Sequence, residues 1–512
     1  MEEKVIIYYP KFGYASGEMP HFRYPPKNYV LPQVLFYLYT AVKNIGCNVI
    51  VIDGNFTKDT VTRILEFNPG KILISSTTPS FGDTIYLIHT LQQKGYIGDF
   101  YVGGPHVSLN LEYRDFLLPK IPGVTYISCR EMVSGFEWVP HVFPGKSQLN
   151  VLGMEEKAAE EFLLEKIDVI KHLNNKKKYL DSYLFQFFVP STEWIENTYR
   201  GQHIYPEKTG IKLRYSILTS IGCTQECNFC SNPYIYSIGY KNPNSIMQIL
   251  DDPCMDNHLS VSDMFFLMQK KHAAEMVNLF KQKEYSFSIQ TCLFNLTNSD
   301  LDNLKKAGVK NILVGIENPL LSSIGKEVKI DKIEWLMSET KKRKIGLKLS
   351  YIVGLRKSEI IADIKLLLHI LLDIIQKYNL SSENIQVNLN APYRPEPDIV
   401  YLPFESGVKY RSDTVYMLTK LPFHYWGILP IAFYDLEHFR IQVSLCDLLY
   451  HLIYPNFKEK YLEIKKIFRQ EVITEYPVLE EFFPEIEESI HFYDNTISSC
   501  LEKGDVAFLS SN

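Results

Sequence analysis

Twice along this chain, short apolar or β-branched runs alternate with amphipathic stretches, and that alternation restricts the fold more than any other feature. In the first series the strand-like runs are Val5–Tyr9, Asn48–Asp53, Lys71–Ser76, Phe100–Val102 and Val124–Cys129, separated by Leu35–Asn44, Thr60–Phe67 and Thr84–Gln93. Strands separated by helices of this length imply right-handed βαβ units and a parallel, doubly wound sheet. Ligands of such sheets bind beyond the carboxyl ends of the strands. The second series is Leu213–Ile221, Leu259–Leu267, Ser286–Leu293, Asn311–Ile316, Gly346–Leu355 and Asn384–Leu389, with helical stretches at Ala273–Lys283, Asp300–Ala307, Asp331–Lys344 and Glu359–Tyr378. Six such repeats fit a partial (β/α)6 barrel, with its active site at the strand C-termini. The fold class expected is therefore α/β: a Rossmann-like domain over 1–145, a connector over 146–205, a partial barrel over 206–395, and an aromatic-rich, mostly helical region over 396–512.

At 512 residues the chain can hold several cores, and its 46% hydrophobic and 22% charged residues are ordinary for a globular protein. A net charge of -5 gives no footprint for nucleic acid. No apolar run approaches the ~18 residues that cross a bilayer, and the start Met1-Glu2-Glu3-Lys4 leads into a strand, not a signal peptide. A cytoplasmic location without membrane partners is expected. Of the nine cysteines, six (Cys47, Cys129, Cys254, Cys292, Cys446 and Cys500) stand among apolar neighbours and read as buried thiols. The other three share one loop, Ile221-Gly222-Cys223-Thr224-Gln225-Glu226-Cys227-Asn228-Phe229-Cys230, directly after the first strand of the second series. Zinc sites usually show paired C-x2-C knuckles and four ligands, and no second pair exists here. Three thiolates suit a [4Fe–4S] cube with one iron left open to a small molecule.

On this loop the chain resembles the radical SAM enzymes that carry an N-terminal cobalamin-binding domain, over roughly residues 1–395. Gly315-Ile316-Glu317-Asn318 resembles a G-I-E-S segment whose carboxylate lies near S-adenosylmethionine (SAM), and Ile352-Val353-Gly354-Leu355 resembles the strand that lies against adenine. The resemblance implies Cys223, Cys227 and Cys230 as cluster ligands, with Phe229, Gln269, Glu317 and Leu355 at SAM. Ile74-Ser75-Ser76-Thr77-Thr78-Pro79-Ser80 and Val102-Gly103-Gly104-Pro105-His106 resemble the segments that line the channel for the nucleotide tail of cobalamin, which makes Ser75, Ser76, Thr77, Thr78, Gly103, Gly104 and Pro105 candidate contacts. Pro10-Lys11-Phe12-Gly13-Tyr14 lacks a D-x-H-x-x-G sequence, so no histidine is offered there below cobalt. His21 and His106 are the nearest alternatives, and a surface or structural role suits both better.

Three positions depart from the pattern. Leu267-Met268-Gln269-Lys270 stands where relatives carry D-D-x-F after barrel strand 2, leaving Gln269 or backbone carbonyls for the SAM amino group. Gly354-Leu355-Arg356-Lys357-Ser358-Glu359 replaces G-L-P-G-E-T, and Cys129-Arg130-Glu131-Met132 replaces a G-E-G-E-like turn. The resemblance implies reductive cleavage of SAM to a 5′-deoxyadenosyl radical, fed by an external donor such as flavodoxin or ferredoxin. The first reading is cobalamin-dependent C-methylation of an unactivated carbon in a small-molecule or peptide intermediate. The second is a radical cyclase, oxidase or rearrangement enzyme without methyl transfer, and a non-catalytic cluster or cobalamin carrier is the third.

Overall fold

The structure is a computed structural model that describes residues 2–10, 28–57, 59–77, 80–105, 107–108, 121–128, 136–166, 184–195, 198, 212–225, 227, 238–251, 258–317, 328–352, 374, 377–378 and 385–390. Expectations for Thr78, Phe229, Cys230, Leu355, His21, His106, Cys129-Arg130-Glu131-Met132 and the whole of 396–512 lie outside these residues, as does nearly all of the helix expected at Glu359–Tyr378.

The strands, in chain order, are β1 (Lys4–Tyr9), β2 (Asn28–Val30), β3 (Asn48–Asp53), β4 (Lys71–Ser75), β5 (Asp99–Gly103), β6 (Val124–Tyr126), β7 (Lys212–Ile217), β8 (Ser220–Ile221), β9 (Gly239–Tyr240), β10 (His258–Val261), β11 (Ser286–Cys292), β12 (Val309–Glu317), β13 (Gly346–Ile352) and β14 (Ile385–Asn390). One sheet is parallel throughout with order β3-β1-β4-β5-β6. Counting only its own strands, this is the doubly wound order 2-1-3-4-5, whose topological switch point lies between β1 and β4. The central strands read as unbroken apolar runs because both faces are covered: Val5, Ile6, Ile7, Ile72 and Leu73 are all buried. Ile6, Ile72 and Ile74 face the core of the 60–67 and 81–93 helices, while Val5, Ile7 and Leu73 face a second core built around the helix Gln33–Asn44.

The second sheet is also parallel, with order β14-β13-β12-β11-β10-β7-β2. Its six strands from β7 to β14 follow chain order, which is the open barrel expected from the sequence. The helices Lys270–Gln282, Asn298–Lys306 and Ile330–Lys342 cover one face. Apolar strand positions Leu259, Val261, Phe287, Ile289, Ile312, Val314, Leu347 and Leu349 are buried against Met276, Phe280, Leu301, Leu304, Leu336 and Met337 of those helices. Helix starts are written locally: Thr297 and Asp300 form a reciprocal capping box, and Asn242 accepts from the Asn244 N–H ahead of the helix Pro243–Leu250.

Three features differ from the sequence reading. The run Leu213–Ile221 is two strands: β7 stops at Ile217, and β8 turns away to pair antiparallel with β9. The run Leu259–Leu267 ends as a strand at Val261, because Phe265, Phe266 and Leu267 roll over into the helix-side core. The seventh strand, β2, comes from the N-terminal part of the chain and pairs with β7 at the sheet edge. The described connector residues Leu149, Val151, Leu163, Phe185, Phe188 and Trp194 are core by packing, buried in one cluster with Tyr37 of the 33–44 helix and Tyr215 of β7. Among the described residues no helix is long and apolar enough to cross a membrane.

Candidate functional site

All strands of the second sheet run the same way, so their carboxyl ends gather the residues of interest at one mouth. After β7 the chain passes through Leu218 and Thr219 into β8, where Ser220 pairs with Tyr240 and Ile221 with Gly239. This short hairpin stem closes both ends of the cysteine loop. Gly222 follows at φ 76°, a left-handed turn that glycine makes without strain and that leads into Cys223. The Gln225 N–H donates to Cys223 Sγ at 3.4 Å. Cys227 is buried, Cys223 half-buried, and neither is in a disulfide. Among the described residues no three His, Cys, Asp or Glu side chains converge, and Cys230, the third thiol of the loop, lies outside them. The donor set suits thiolate ligation of an iron–sulfur cluster, with one sulfur already receiving an amide N–H.

Sequence reading missed the residue that holds the stem. Asp263, fully buried just past β10, accepts from the Thr219 N–H at 2.6 Å, from Thr219 Oγ1, and from Ser220 Oγ at 2.8 Å. Burial pushes its carboxyl above the usual carboxylate range, and the Thr219 and Ser220 bonds pull the other way. The Thr219 carbonyl accepts from the Lys241 N–H at 2.8 Å and faces His272 Nε2 at 3.0 Å. The acid after barrel strand 2 is thus Asp263, in Ser262-Asp263-Met264-Phe265, and not absent as the longer strand implied. Gln269 is instead an exposed residue at the start of the helix Lys270–Gln282. A lone aspartate inside the run Leu259–Leu267 was the available signal.

Glu317 is the last residue of β12. It is 7% exposed, and its φ of 49° lies in the left-handed region that a branched or long side chain rarely adopts. The β12–β13 register slips between Gly315 and Glu317, so that Glu317 pairs with Tyr351. Such a bulge re-aims a side chain at a strand end, and strained non-glycine backbone gathers at functional sites.

The face of this sheet turned away from the helices is polar. Ser260, Ser288 and Asn311 stand in adjacent register, with Gln290 above Ser288. His258 places Nδ1 2.9 Å from Ser286 Oγ and Nε2 3.1 Å from Ser288 Oγ, and Asn311 Nδ2 donates to Ser288 Oγ at 3.2 Å. Gly346 makes room, since a Cβ there would sit 2.2 Å from Asn311 Oδ1. The interior of a closed barrel is normally a packed apolar core; this face instead offers hydrogen bonds.

At the first sheet, β4 and β5 end side by side at its carboxyl edge, with Ser75 opposite Gly103. The Ser76 N–H donates to the Gly103 carbonyl at 2.8 Å. Gly104 has φ 104°, and a Cβ on it would lie 2.2 Å from the Ser76 carbonyl oxygen. The glycine is therefore required first by the Ser76 backbone. Ser75 and Ser76 are buried, and Pro105 is exposed. Thr84 Oγ1 donates to Ser76 Oγ at 3.1 Å, and the Thr77 and Ser80 hydroxyls lie 3.1 Å apart. The small residues at both strand ends suit a group that needs close backbone approach.

The fold is similar to that of a solved radical S-adenosylmethionine methyltransferase. That structure is TsrM from Kitasatospora setae with cobalamin and a [4Fe–4S] cluster bound: the TM-score is 0.51 at 14% identity, covering 76% of this chain and 72% of that one. TsrM with tryptophan substrate and the SAM analogue aza-SAM gives 0.47 at 15% identity, over 72% and 71%. Coproporphyrinogen III oxidase (HemN) from Escherichia coli, a radical SAM enzyme, gives 0.26 at 14% identity, over 38% and 46%. No protein-family model and no curated protein matches the chain.

Proposed function

We propose that this protein is a radical SAM enzyme that uses cobalamin to methylate an unactivated carbon of a small-molecule or peptide substrate. The observation that carries the reading is the cysteine loop, set on a fixed hairpin stem at the carboxyl ends of a parallel open barrel. When bound, the reduced cluster supplies the electron that splits the sulfonium bond of SAM, and cobalamin supplies the methyl group.

The chain's own residues divide the rest. Cys223, Cys227 and Cys230 would hold three irons, and Phe229 and Leu355 would flank adenine. Glu317, aimed by its bulge, would accept hydrogen bonds from SAM. Ser75, Ser76, Thr77, Thr78, Gly103, Gly104 and Pro105 would line the cobalamin tail across the carboxyl edge of residues 1–145. The polar inner face of the barrel suits a substrate rich in hydrogen-bonding groups, bound through Ser260, Ser288, Gln290 and Asn311. An external one-electron donor such as a flavodoxin or ferredoxin completes the cycle.

Radical chemistry without methyl transfer is the second reading. It is favoured by one observation: the Ser76 and Thr77 hydroxyls are already paired with Thr84 and Ser80. Anaerobic protein from cells grown with cobalamin separates the two. The methyltransferase predicts bound corrinoid and S-adenosylhomocysteine beside 5′-deoxyadenosine; absence of corrinoid and S-adenosylhomocysteine with retained 5′-deoxyadenosine selects the second reading.

A further inference from the structure

Thr219 is fully buried, and each of its polar groups has a partner: N–H and hydroxyl on Asp263, carbonyl on the Lys241 N–H and beside His272 Nε2. It stands between the end of β7 and the stem of the cysteine loop, four positions before Cys223. Asp263 leaves the neighbouring strand, where Val261 pairs with Ile217, and its two oxygens take donors from two successive residues, Thr219 just before the stem and Ser220 at its start. A two-oxygen grip on consecutive residues fixes both the position and the rotation of the peptide between them. Helix Lys270–Gln282 adds a second brace through His272, whose ring packs 5.1 Å from that of Tyr240 on the returning strand of the stem.

We propose that Asp263 is a positioning residue for SAM: acting through Thr219 and Ser220, it holds the base of the cysteine loop in a fixed relation to the ends of β7 and β10. The proposal rests on the radical SAM reading above. A ligand that bridges the cluster and the strand ends binds well only if loop and sheet keep a fixed relation, since small displacements are heavily penalised in such sites. Asp263 supplies that relation while its carboxylate is committed to the stem.

The test uses the full-length protein, reconstituted anaerobically with iron and sulfide and reduced with dithionite. SAM is titrated while the paramagnetic resonance spectrum of the reduced cluster is followed, and thermal melting is recorded alongside. Asp263→Ala is expected to keep its cluster but to need about tenfold more SAM for the spectral change. Asp263→Asn still accepts the Thr219 N–H and is expected to recover most of the response. Thr219→Val removes one bond and keeps the other, so it gives a smaller weakening and serves if Asp263→Ala does not fold. Wild-type-like titration by Asp263→Ala, or by Thr219→Val in its place, overturns the proposal whatever happens to the melting temperature. A wild-type cluster whose spectrum ignores SAM overturns the radical SAM reading itself, and this proposal with it.

Discussion

Glu317 holds its backbone at φ 49°, where an L-residue is strained by roughly 1–2 kcal/mol and glycine is not. The normal order of stability is therefore predicted to invert: Glu317→Gly should be more stable than Glu317→Ala by about 1 kcal/mol in denaturant unfolding. Both variants should bind SAM at least tenfold more weakly, by loss of a charge-assisted contact worth about 1.5–3 kcal/mol. A glutamate kept only for packing would show the stability order without the binding loss. At this scale the spacing of Cys223, Cys227 and Cys230 is legible in the sequence, and Glu317 enters through the resemblance of Gly315-Ile316-Glu317-Asn318 to a G-I-E-S segment; its left-handed backbone and bulge are visible only in the fold. Asp263 was hidden because it sits inside an apolar run that reads as a longer strand, and only the end of β10 at Val261 reveals it.

The strand ends of the first sheet depend on how closely two backbones approach. Gly104→Ala combines φ 104° with a Cβ 2.2 Å from the Ser76 carbonyl, so it must part β4 from β5 at their carboxyl ends. A destabilisation of about 2 kcal/mol or more is expected from that overpacking and strain. Gly123→Ala, at φ 73° with nothing within 4 Å, carries only the backbone strain, about 1 kcal/mol. Equal melting shifts for the two would mean that the Ser76 approach is not a constraint. Strand and helix identities were legible because the apolar periods are regular; Thr60–Phe67 forms as expected. Boundaries were less so. The break at Leu218-Thr219 and the turn after Val261 are set by Asp263 reaching across to the stem, a contact between segments 44 positions apart that no local pattern contains.

The molecule as a whole is tied together across the boundaries that sequence suggested. Strand β2 and the helix Gln33–Asn44 bring N-terminal chain to the edge of the barrel sheet, and Tyr37, Phe185 and Phe188 surround Lys241 just after the returning strand of the cysteine-loop stem. The Lys241 amine donates to the Phe188 carbonyl, and burial lowers its pKa well below the ordinary 10.5. The folded state then binds fewer protons than the unfolded chain between that lowered value and 10.5, so this group makes stability rise with pH through that window, by up to about 1.4 kcal/mol per unit. Lys241→Met should remove the rise in unfolding measurements at successive pH values; an unchanged slope would place the proton on Lys241 in the fold. On the proposed reading, the loop at the mouth of the barrel carries an iron–sulfur cluster that acts on SAM. The most direct test of that reading is the anaerobically reconstituted full chain, with dithionite and SAM, assayed for iron, sulfide and 5′-deoxyadenosine. About four irons per chain and formation of 5′-deoxyadenosine, both lost when Cys223, Cys227 and Cys230 are replaced by alanine, are the predicted result. Zinc in place of iron, or a full cluster that leaves SAM intact, would contradict it.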